Sequence, residues 1–422
     1  MYPLTLELVE FLLSDQAGRE LIELADADLS DSLRLVTRLR KRFSRAEAAA
    51  LLDQGVLRRS AGPHGGGKFP QAERMFFIDE ALEQASSRAV AVYRAGLLVE
   101  HGVRVVADLG CGIGADSIAM AEAGLRVVAV ELDPVRARLA AVNVAALGLA
   151  ERVQVSCADW TTLDFAGPMA VDAAFVDPAR RVASADRGRD RRRVFSLHEM
   201  VPPLSAIRSL MAQVPDVLVK VAPGVDLDEV PADAAVTFIA EGIHLKEALL
   251  SFGTLRSAAR RQAVVLPGPH VFVVGAEVRR GALRALRRFD IPDIRTVQDV
   301  LYEPNPAVLR AGLVRDLGRR LHAGQLDAEI AYLTGDDVVP TPFARAWPVE
   351  RDGPFNLKEL NRWLREAGVG RVIVKKRGSP IDPDAFRRRL KTTRGGPEKT
   401  VFVTQARGKP WMVLCGDELR AE

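Results

Sequence analysis

Acidic residues follow three consecutive apolar segments in the middle of the chain. Glu131 follows "LRVVAV", Asp159 follows "VQVSCA" and Asp177 follows "DAAFV". Each segment is short, apolar and rich in β-branched residues, which predicts a buried strand. Acids at the carboxyl ends of parallel strands face the crevice where ligands bind. The pattern therefore predicts one polar site that is assembled from several strand ends.

A glycine-rich turn precedes these acids, in "VVADLGCGIGADSIAM". Gly110, Gly112 and Gly114 permit a tight strand-to-helix turn and the close approach of a ligand to the backbone. Amides at the start of the helix offer donors to that ligand. Glu131 lies 21 residues after Gly110, where its carboxylate can accept both hydroxyls of a ribose. The same turn also fits the G-x-G-x-x-G/A pattern of nicotinamide and flavin proteins, so this pattern alone leaves the ligand open.

Four pieces of sequence narrow this choice. They are "DLGCGIG", "VELD", "CADW" and "FVDPAR", and Asp159 in the third could reach an adenine amino group while Trp160 packs on the base. In order and spacing they resemble the class I S-adenosylmethionine-dependent methyltransferases over about residues 103–225. The resemblance implies S-adenosyl-L-methionine as cofactor and a Rossmann-like α/β core with a mostly parallel, seven-stranded sheet.

The resemblance also implies a role for each matching residue. Asp108 would face the methionine amino group, and Gly110 and Gly112 would pass under the cofactor. Glu131 would hold the ribose, and Asp159 would contact adenine. Since a sulfonium methyl donor needs little electronic help, alignment of the nucleophile with the S–CH3 bond should dominate the rate.

The fourth strand end suggests the acceptor. In methyltransferases of exocyclic amino groups this strand commonly ends in (N/D)PP and an aromatic residue, and here the sequence is Asp177-Pro178-Ala179-Arg180. The acid and the first proline remain, so Asp177 could accept a hydrogen from an amino or ring nitrogen, and Arg180 could stack on a base. The catalytic candidates are Asp177, Pro178 and Arg180. A simple strand-end cap is the alternative for Asp177.

Two upstream stretches carry weaker signals. "LEQAS" resembles the EQxxT element that some nucleic-acid methyltransferases place near the methionine end of the cofactor, which makes Gln84 a cofactor-binding candidate; a helix cap at Ser86 is the alternative. "GPHGGGKF", residues 62–69, matches the start of a phosphate loop but lacks the Ser or Thr that binds magnesium. It is better interpreted as a flexible linker.

Basic residues cluster in two places. Residues 180–193 hold seven arginines against two aspartates, and residues 371–399 hold ten Lys or Arg against three acids. Such clusters attract phosphate backbones, although a solvated basic face is the alternative. The candidate phosphate contacts to RNA are Arg180, Arg181, Arg187, Arg191, Lys375, Lys376 and Arg377.

The pattern along the chain predicts three domains. Residues 1–95 have helical periodicity, with Ser44 and Glu47 as a helix start that leads to an end at Gly55. Residues 96–276 form the methyltransferase domain, in which strands and helices alternate, and "AVTFIAEGIHLKEALLSFG" and "RQAVVLPG" could add antiparallel edge strands. Residues 277–422 form a small α+β module, with a helix at "RRGALRALRRF".

The whole arrangement is similar to bacterial methyltransferases with a C-terminal THUMP-like domain, through "LYEPNPAVLRAGL", "PFARAWPV" and "VIVKKRG". Because THUMP domains bind RNA, this resemblance implies methylation of a base nitrogen in RNA (tRNA or rRNA). Three alternatives stay open: a methyltransferase of a protein or small molecule, a nicotinamide-dependent oxidoreductase, and a non-catalytic RNA-binding protein. No cysteine adjoins "DPAR", which argues against carbon-5 pyrimidine methylation through a covalent adduct.

Composition excludes other classes. The three cysteines, Cys111, Cys157 and Cys415, lie far apart, which argues against a disulfide framework and against a zinc site. There is no run of 18 apolar residues, and the acidic N-terminus lacks the basic region of a secretory signal. We therefore expect a cytoplasmic protein that holds no metal and contacts no membrane.

Overall fold

The computed structural model describes residues 3–29, 31–63, 67–167, 170–178, 196–273 and 293–419. The chain divides into two compact units. The first comprises residues 1–235 and 247–257, and the second comprises residues 236–246 and 258–422. The three-part division at residues 95/96 and 276/277 remains a prediction.

The N-terminal part of the first unit is helical, as predicted. Its helices are α1 (Leu6–Leu12), α2 (Asp15–Ala25), α3 (Ser32–Leu39), α4 (Arg45–Ala61), α5 (Asp79–Gln84) and α6 (Arg88–Glu100). The predicted start of α4 is confirmed, because the Ser44 hydroxyl and the Glu47 carboxylate accept each other's backbone N–H. The predicted end at Gly55 is wrong. Gly55 lies inside α4, where a Cβ would be 3.5 Å from the Leu24 Cβ, so its role is close packing against α2.

Alternating strands and helices follow in the same unit. They are β1 (Val105–Leu109), α7 (Ala115–Glu122), β2 (Arg126–Glu131), α8 (Pro134–Ala146), β3 (Val153–Cys157), β4 (Ala173–Val176), α9 (Leu204–Met211) and β5 (Val217–Val221). Strand β1 pairs in parallel with β2 and β4, and further parallel pairs join β2 to β3 and β4 to β5. Every residue of β4 and β5 is buried, as expected for a sheet that is covered on both faces.

Four more strands complete the order of this sheet. They are β6 (Ala235–Glu241), β7 (His244–Ser251), β8 (Arg261–Leu266) and β9 (His270–Val273). Among the described residues the order is β3-β2-β1-β4-β5-β7-β6-β8-β9, so the predicted seven-stranded core is extended by β8 and β9. The antiparallel prediction is confirmed for β7 on β5 and for β8 on β9, whereas β6 and β8 pair with each other in parallel. The segment between β6 and β8 contains β7 and provides the crossover that a parallel pair requires.

A separate sheet is formed by strands between residues 300 and 415, all within the second unit. Its strands are β10 (Val300–Pro304), β11 (Gly324–Gln325), β12 (Leu333–Gly335), β13 (Ala344–Pro354), β14 (Arg371–Lys376), β15 (Glu398–Ala406) and β16 (Lys409–Cys415), in the order β11-β12-β10-β13-β16-β15-β14. The helices of this unit are α10 (Pro306–Ala311), α11 (Val314–Arg320), α12 (Leu357–Glu366) and α13 (Pro383–Arg387). Gly312 adopts a left-handed conformation (φ +71°) that ends α10, and α11 follows as a separate helix.

Helix α13 begins with a side-chain cap. The Asp382 carboxylate accepts from the Ala385 backbone N–H at 2.6 Å, and Pro383 occupies the first turn. The predicted helix at 279–289 lies outside the described residues. Throughout the described part of the chain, no helix combines the length and the apolar character that crossing a membrane requires.

Candidate functional site at the glycine turn

The glycine turn joins the carboxyl ends of three strands. Gly110 donates its backbone N–H to the Val130 carbonyl at 2.8 Å, and Gly112 donates to Glu131 Oε2 at 2.8 Å. Gly110 has φ +85°, and a Cβ there would lie 2.9 Å from the Asp177 carbonyl oxygen. A side chain at Gly110 would therefore collide with the β4 backbone, so the glycine is what lets β1, β2 and β4 end together.

The second glycine leaves room. Gly112 has φ +59°, and a Cβ there would meet no atom of the described residues within 4 Å, apart from its chain neighbours. Beside it, Glu131 is only 9% exposed, and its Oε1 accepts from the Asp133 backbone N–H at 3.0 Å. Each carboxylate oxygen thus has one backbone donor and keeps capacity for a second hydrogen bond. The arrangement offers an open backbone surface next to an oriented carboxylate.

Asp108 lies directly before the turn and is 1% exposed. Its Oδ2 accepts from the Ser117 hydroxyl, whereas its Oδ1 is buried and has no hydrogen-bond partner among the described residues. Burial, together with the neighbouring Asp116 carboxylate, raises the pKa of Asp108 to about 7. A buried acceptor without a donor is costly, so it fits a ligand group that brings its own N–H.

The third strand end is more exposed. Asp159 Oδ1 accepts from the backbone N–H and the hydroxyl of Thr161, at 2.9 and 2.7 Å, and these bonds lower the pKa of Asp159. Trp160 is half-buried beside it. The Ala158 backbone N–H donates to the Glu131 carbonyl at 3.0 Å, which ties this strand end to the glycine turn.

The fourth strand end carries Asp177, whose backbone N–H donates to the Leu109 carbonyl at 3.0 Å. Its Oδ2 accepts from Lys220 Nζ at 2.6 Å. Lys220 lies in β5 and is only 6% exposed. Among the described residues a lysine, rather than a backbone N–H, holds the carboxylate, and the alternative of a strand-end cap stays open. Pro178 is buried, and Arg180 lies outside the described residues.

A buried arginine that the sequence analysis missed, Arg94, lies near this strand end. Arg94 is fully buried in α6 and donates to the carboxylates of Asp116 and Glu247. Burial alone would lower the pKa of Arg94, but the two carboxylates outweigh it and raise that pKa. The available signal was its spacing, because Arg94 falls four residues from both Val90 and Leu98 on the apolar face of the helix.

Ser86 connects this arginine to the strand end. Its hydroxyl oxygen accepts from Arg94 and from Lys220 Nζ, the latter at 3.3 Å. The interpretation of Ser86 as a helix cap is therefore wrong; Ser87 is the residue that precedes α6. Gln84 is exposed, and its amide donates to Glu80 Oε1 at 3.2 Å. The described contacts do not bring Gln84 to the glycine turn.

Lys68, in the stretch that matched a phosphate loop, has a structural role. Its ammonium donates to the backbone carbonyls of Leu82, Glu83 and Ala85, at 2.6, 2.9 and 3.0 Å. These carbonyls end α5, where a cation is favourable. The ammonium is thus engaged at a helix terminus, as expected if this stretch binds no phosphate.

The predicted phosphate contacts of the second unit differ among themselves. Lys375 Nζ donates to Glu303 Oε2 at 2.6 Å and lies 4.7 Å from the centre of the Trp347 ring. Lys376 Nζ is exposed and donates to the Ile381 carbonyl at 2.7 Å, and the Arg377 guanidinium lies 5.0 Å from the Tyr332 ring centre. Lys375 is therefore committed to an internal ion pair. The four predicted arginine contacts, Arg180, Arg181, Arg187 and Arg191, lie outside the described residues.

Comparison with known proteins then decides the family. A methyltransferase domain model matches residues 106–187, and a THUMP domain-like model matches residues 344–417. Proteins of two Mycobacterium tuberculosis strains, each named an uncharacterized S-adenosylmethionine-dependent methyltransferase, are 35% identical over 377 residues, which is 87% of this chain and 95% of each relative. The chain belongs to the S-adenosylmethionine-dependent methyltransferases. The prediction of an enzyme with S-adenosylmethionine as cofactor is confirmed, and the nicotinamide alternative falls away.

Two further relatives give narrower information. A crystal structure from Porphyromonas gingivalis W83, of a protein assigned to the methyltransferases, superposes with a TM-score of 0.73 at 22% identity and covers 96% of this chain and 97% of its own; this likeness supports the fold. The 23S rRNA (uracil(1939)-C(5))-methyltransferase of Acidithiobacillus ferrooxidans is 33% identical over 102 residues, which is 24% of this chain and 23% of that protein. Within the described residues there is no group of three or more metal-binding side chains.

The residues at the glycine turn fit this cofactor. Gly112 leaves space that a ligand can fill, Glu131 presents a carboxylate at the rim of that space, and Asp108 Oδ1 lacks a donor. The space at Gly112 suits the chain of the ligand, the Glu131 carboxylate suits sugar hydroxyls, and Asp108 Oδ1 suits an ammonium. When bound, the cofactor supplies an electrophilic sulfonium methyl group.

Proposed function

We propose that this methyltransferase transfers the methyl group to a base nitrogen of RNA, either tRNA or rRNA. The observation that carries the proposal is Asp177 at the end of β4. Its carbonyl lies beside Gly110, and its carboxylate keeps one oxygen that no described residue engages. A carboxylate at this place can accept a hydrogen from the incoming nucleophile while its nitrogen lone pair attacks.

On this proposal the cofactor is held by the residues that the sequence indicated. Asp108 Oδ1 accepts from the methionine ammonium, and the backbone at Gly110 and Gly112 lies under the cofactor. Glu131 accepts from the ribose hydroxyls. Asp159 and Trp160 contact the adenine, while Gln84 remains a predicted contact that no described interaction supports.

The reaction itself is a substitution at carbon. The acceptor nitrogen forms the N–CH3 bond, the S–CH3 bond breaks with its electron pair on sulfur, and the acceptor loses one proton. Asp177 orients that N–H and takes the proton before it passes to water. Pro178 holds the strand end rigid, and Arg180 is proposed to stack on the target base. Orientation of this kind supplies most of the rate in transfers from a good methyl donor.

The RNA part of the proposal has two supports. The first is the THUMP domain-like match at residues 344–417. The second is the partial relative named for a 23S rRNA substrate; its carbon-5 chemistry is not carried over, because no cysteine adjoins Asp177 in the sequence. In the second unit the proposed phosphate contacts are the half-buried Arg377 and five exposed cations, Lys376, Arg387, Arg388, Arg389 and Lys391. Arg377 is the least exposed of them, and Lys375 leaves the set because of its internal ion pair.

Methyl transfer from labelled S-adenosylmethionine to total RNA of a deletion strain tests the proposal. We expect label in RNA with the wild-type enzyme and almost none with Asp177→Ala at equal cofactor occupancy. Nuclease digestion then identifies the nucleoside, which should carry an N-methyl group. Label that enters protein or small molecules instead would replace the proposed acceptor, and a C-methyl or O-methyl product would replace the base nitrogen.

A further inference from the structure

Lys220 is out of place for a residue of its strand. All five residues of β5 are buried, the other four are apolar, and the lysine side chain itself is only 6% exposed. Burying an ammonium is costly unless it is paired, and a buried pair often stabilises a fold no better than apolar residues of the same volume. Stability alone thus gives no reason for the lysine, which directs attention to its partner at the site.

The lysine is held from two sides. Its Nζ donates to Asp177 Oδ2 at 2.6 Å and to the Ser86 hydroxyl at 3.3 Å. Ser86 is in turn held by Arg94, which the Asp116 and Glu247 carboxylates fix in the interior. The ammonium is therefore anchored to buried helix and strand positions, and it transmits that anchoring to a carboxylate that is itself 26% exposed.

We propose that Lys220 is a positioning residue for methyl transfer: by fixing Asp177 Oδ2, it leaves Asp177 Oδ1 aimed at the group that receives the methyl. This inference rests on the proposed function and deepens it. A carboxylate held by an ammonium can accept a hydrogen bond or a proton but has no hydrogen of its own to donate. The group that it serves must therefore bring a hydrogen, which restricts the acceptor to an exocyclic amino group or a ring N–H and excludes a ring nitrogen that offers only a lone pair.

A double-mutant cycle separates this role from a merely structural one. The variants are Lys220→Met, Asp177→Asn and their combination, and kcat is measured for methyl transfer to RNA. Each single substitution should lower kcat by about 100-fold, the low end for a lost acid–base group, while cofactor binding changes by less than about threefold. Because Lys220 acts through Asp177, the double variant should be no slower than Asp177→Asn within about twofold.

Lys375→Met is the matched control. It removes a lysine from another 2.6 Å carboxylate pair, Lys375–Glu303, that has no part in the proposed machinery. We expect its kcat to stay within about threefold of wild type at a temperature where both are folded, although its unfolding temperature falls. Multiplied losses in the double variant, or an equal kcat loss in Lys375→Met, would overturn the assignment of Lys220.

A second readout needs no RNA. Sinefungin carries an amine where the sulfonium methyl stands, and S-adenosylhomocysteine carries nothing there, so the ratio of their affinities reports the acceptor side of the site. Asp177→Asn should lower this ratio by about tenfold or more, the value of one charge-assisted hydrogen bond. Lys220→Met should change the ratio by about threefold when Asp177 is present and by less than twofold in Asp177→Asn.

RNA labelling and the affinity ratio test different parts of the proposal, so one can fail without the other. If the wild-type enzyme does not label RNA, the proposed acceptor is wrong, and the affinity ratio still decides the role of Lys220. If the ratio is the same in wild type and Asp177→Asn, then Asp177 does not face the methyl position, and the positioning role is wrong whatever the RNA result. A shift of the ratio by Lys220→Met that is equal with and without Asp177 would also contradict it.

Discussion

Two lysine–carboxylate pairs, one in each unit, have the same short N–O distance and different surroundings. Lys220 Nζ to Asp177 Oδ2 and Lys375 Nζ to Glu303 Oε2 are both 2.6 Å. Glu303 also receives Arg345, and its side chain is 16% exposed. Asp177 receives only the lysine among the described residues, and its side chain is 26% exposed.

The contrast shows how a functional ion pair can be recognised. The second-unit pair is closed, since Lys375 lies against the Trp347 ring and Glu303 is shared by two cations, which lower the pKa of Glu303 although burial raises it. The first-unit pair is open, since no described residue engages the second carboxylate oxygen of Asp177. Distance and partner type are equal, so the unused capacity for hydrogen bonding is what distinguishes the two.

The largest expected effect tests this contrast directly. Asp177→Asn should lower methyl transfer by about 100-fold, because the amide keeps an oxygen that can orient the N–H but cannot take the proton. Glu303→Gln, the equivalent change in the closed pair, should leave transfer per folded molecule within about threefold. It should instead lower the free energy of unfolding by up to about 3 kcal/mol, because a half-buried lysine loses its partner. Similar losses of transfer in both variants would remove the contrast.

A pair of glycine substitutions extends the contrast between the two units. Gly112→Ala places a methyl group in the open space at the turn and also strains a left-handed residue by about 1–2 kcal/mol. Cofactor affinity, measured by calorimetry, should fall by about tenfold or more. Gly353→Ala in β13 meets only the Trp363 ring at 3.5 Å, an ordinary contact, so cofactor affinity should not change. Unchanged affinity in Gly112→Ala would mean that the cofactor does not lie on this turn.

The pH dependence of cofactor affinity should arise from Asp108, in the first unit. Burial raises the pKa of Asp108 to about 7, so the side chain is a neutral acid below this pH and a carboxylate above it. Because the carboxylate is the form that attracts a ligand ammonium, cofactor affinity should rise several-fold as the pH increases through about 7. Asp108→Asn should bind weakly with no such rise. A flat profile in the wild-type enzyme would place the ammonium elsewhere.

The smallest effect concerns the exposed cations. Replacing Arg387, Arg388 and Arg389 with Gln should reduce the slope of log affinity for RNA against log salt by about 0.7–0.9 for each phosphate that is no longer neutralised. Lys375→Met should leave that slope unchanged, because its ammonium is bound to Glu303. The reverse result would return Lys375 to the RNA-binding set and remove the arginines.

The parts that the sequence predicted are those fixed by local pattern. The turn at Gly110 and Gly112 needs left-handed glycines, and the acids at the ends of β2, β3 and β4 mark a parallel sheet. These features indicated the family, the cofactor and the main site residues. The strand order beyond β5 was harder, because β6, β7 and β8 are short apolar runs whose pairing depends on long-range contacts.

What the sequence did not reveal is the polar network behind the site. Ser86, Arg94, Asp116 and Glu247 are separated by up to 161 positions in the chain, and each one alone resembles an ordinary polar residue of a helix or strand. Only the packing of α6, α7 and β7 brings them together. The ion pair of Lys375 with Glu303 was not predicted for the same reason, since a basic run in sequence does not show which cations form internal ion pairs.

The most direct test of the account is calorimetry of S-adenosylmethionine binding to Glu131→Ala and Asp177→Asn in parallel. Glu131 is proposed to hold the ribose and Asp177 to serve only the acceptor. We therefore predict that Glu131→Ala weakens cofactor binding by about tenfold or more, the value of hydrogen bonds to a charged group, whereas Asp177→Asn stays within about threefold of wild type. Equal weakening in the two variants, or unimpaired binding in Glu131→Ala, would contradict the division of this site into cofactor and acceptor sides.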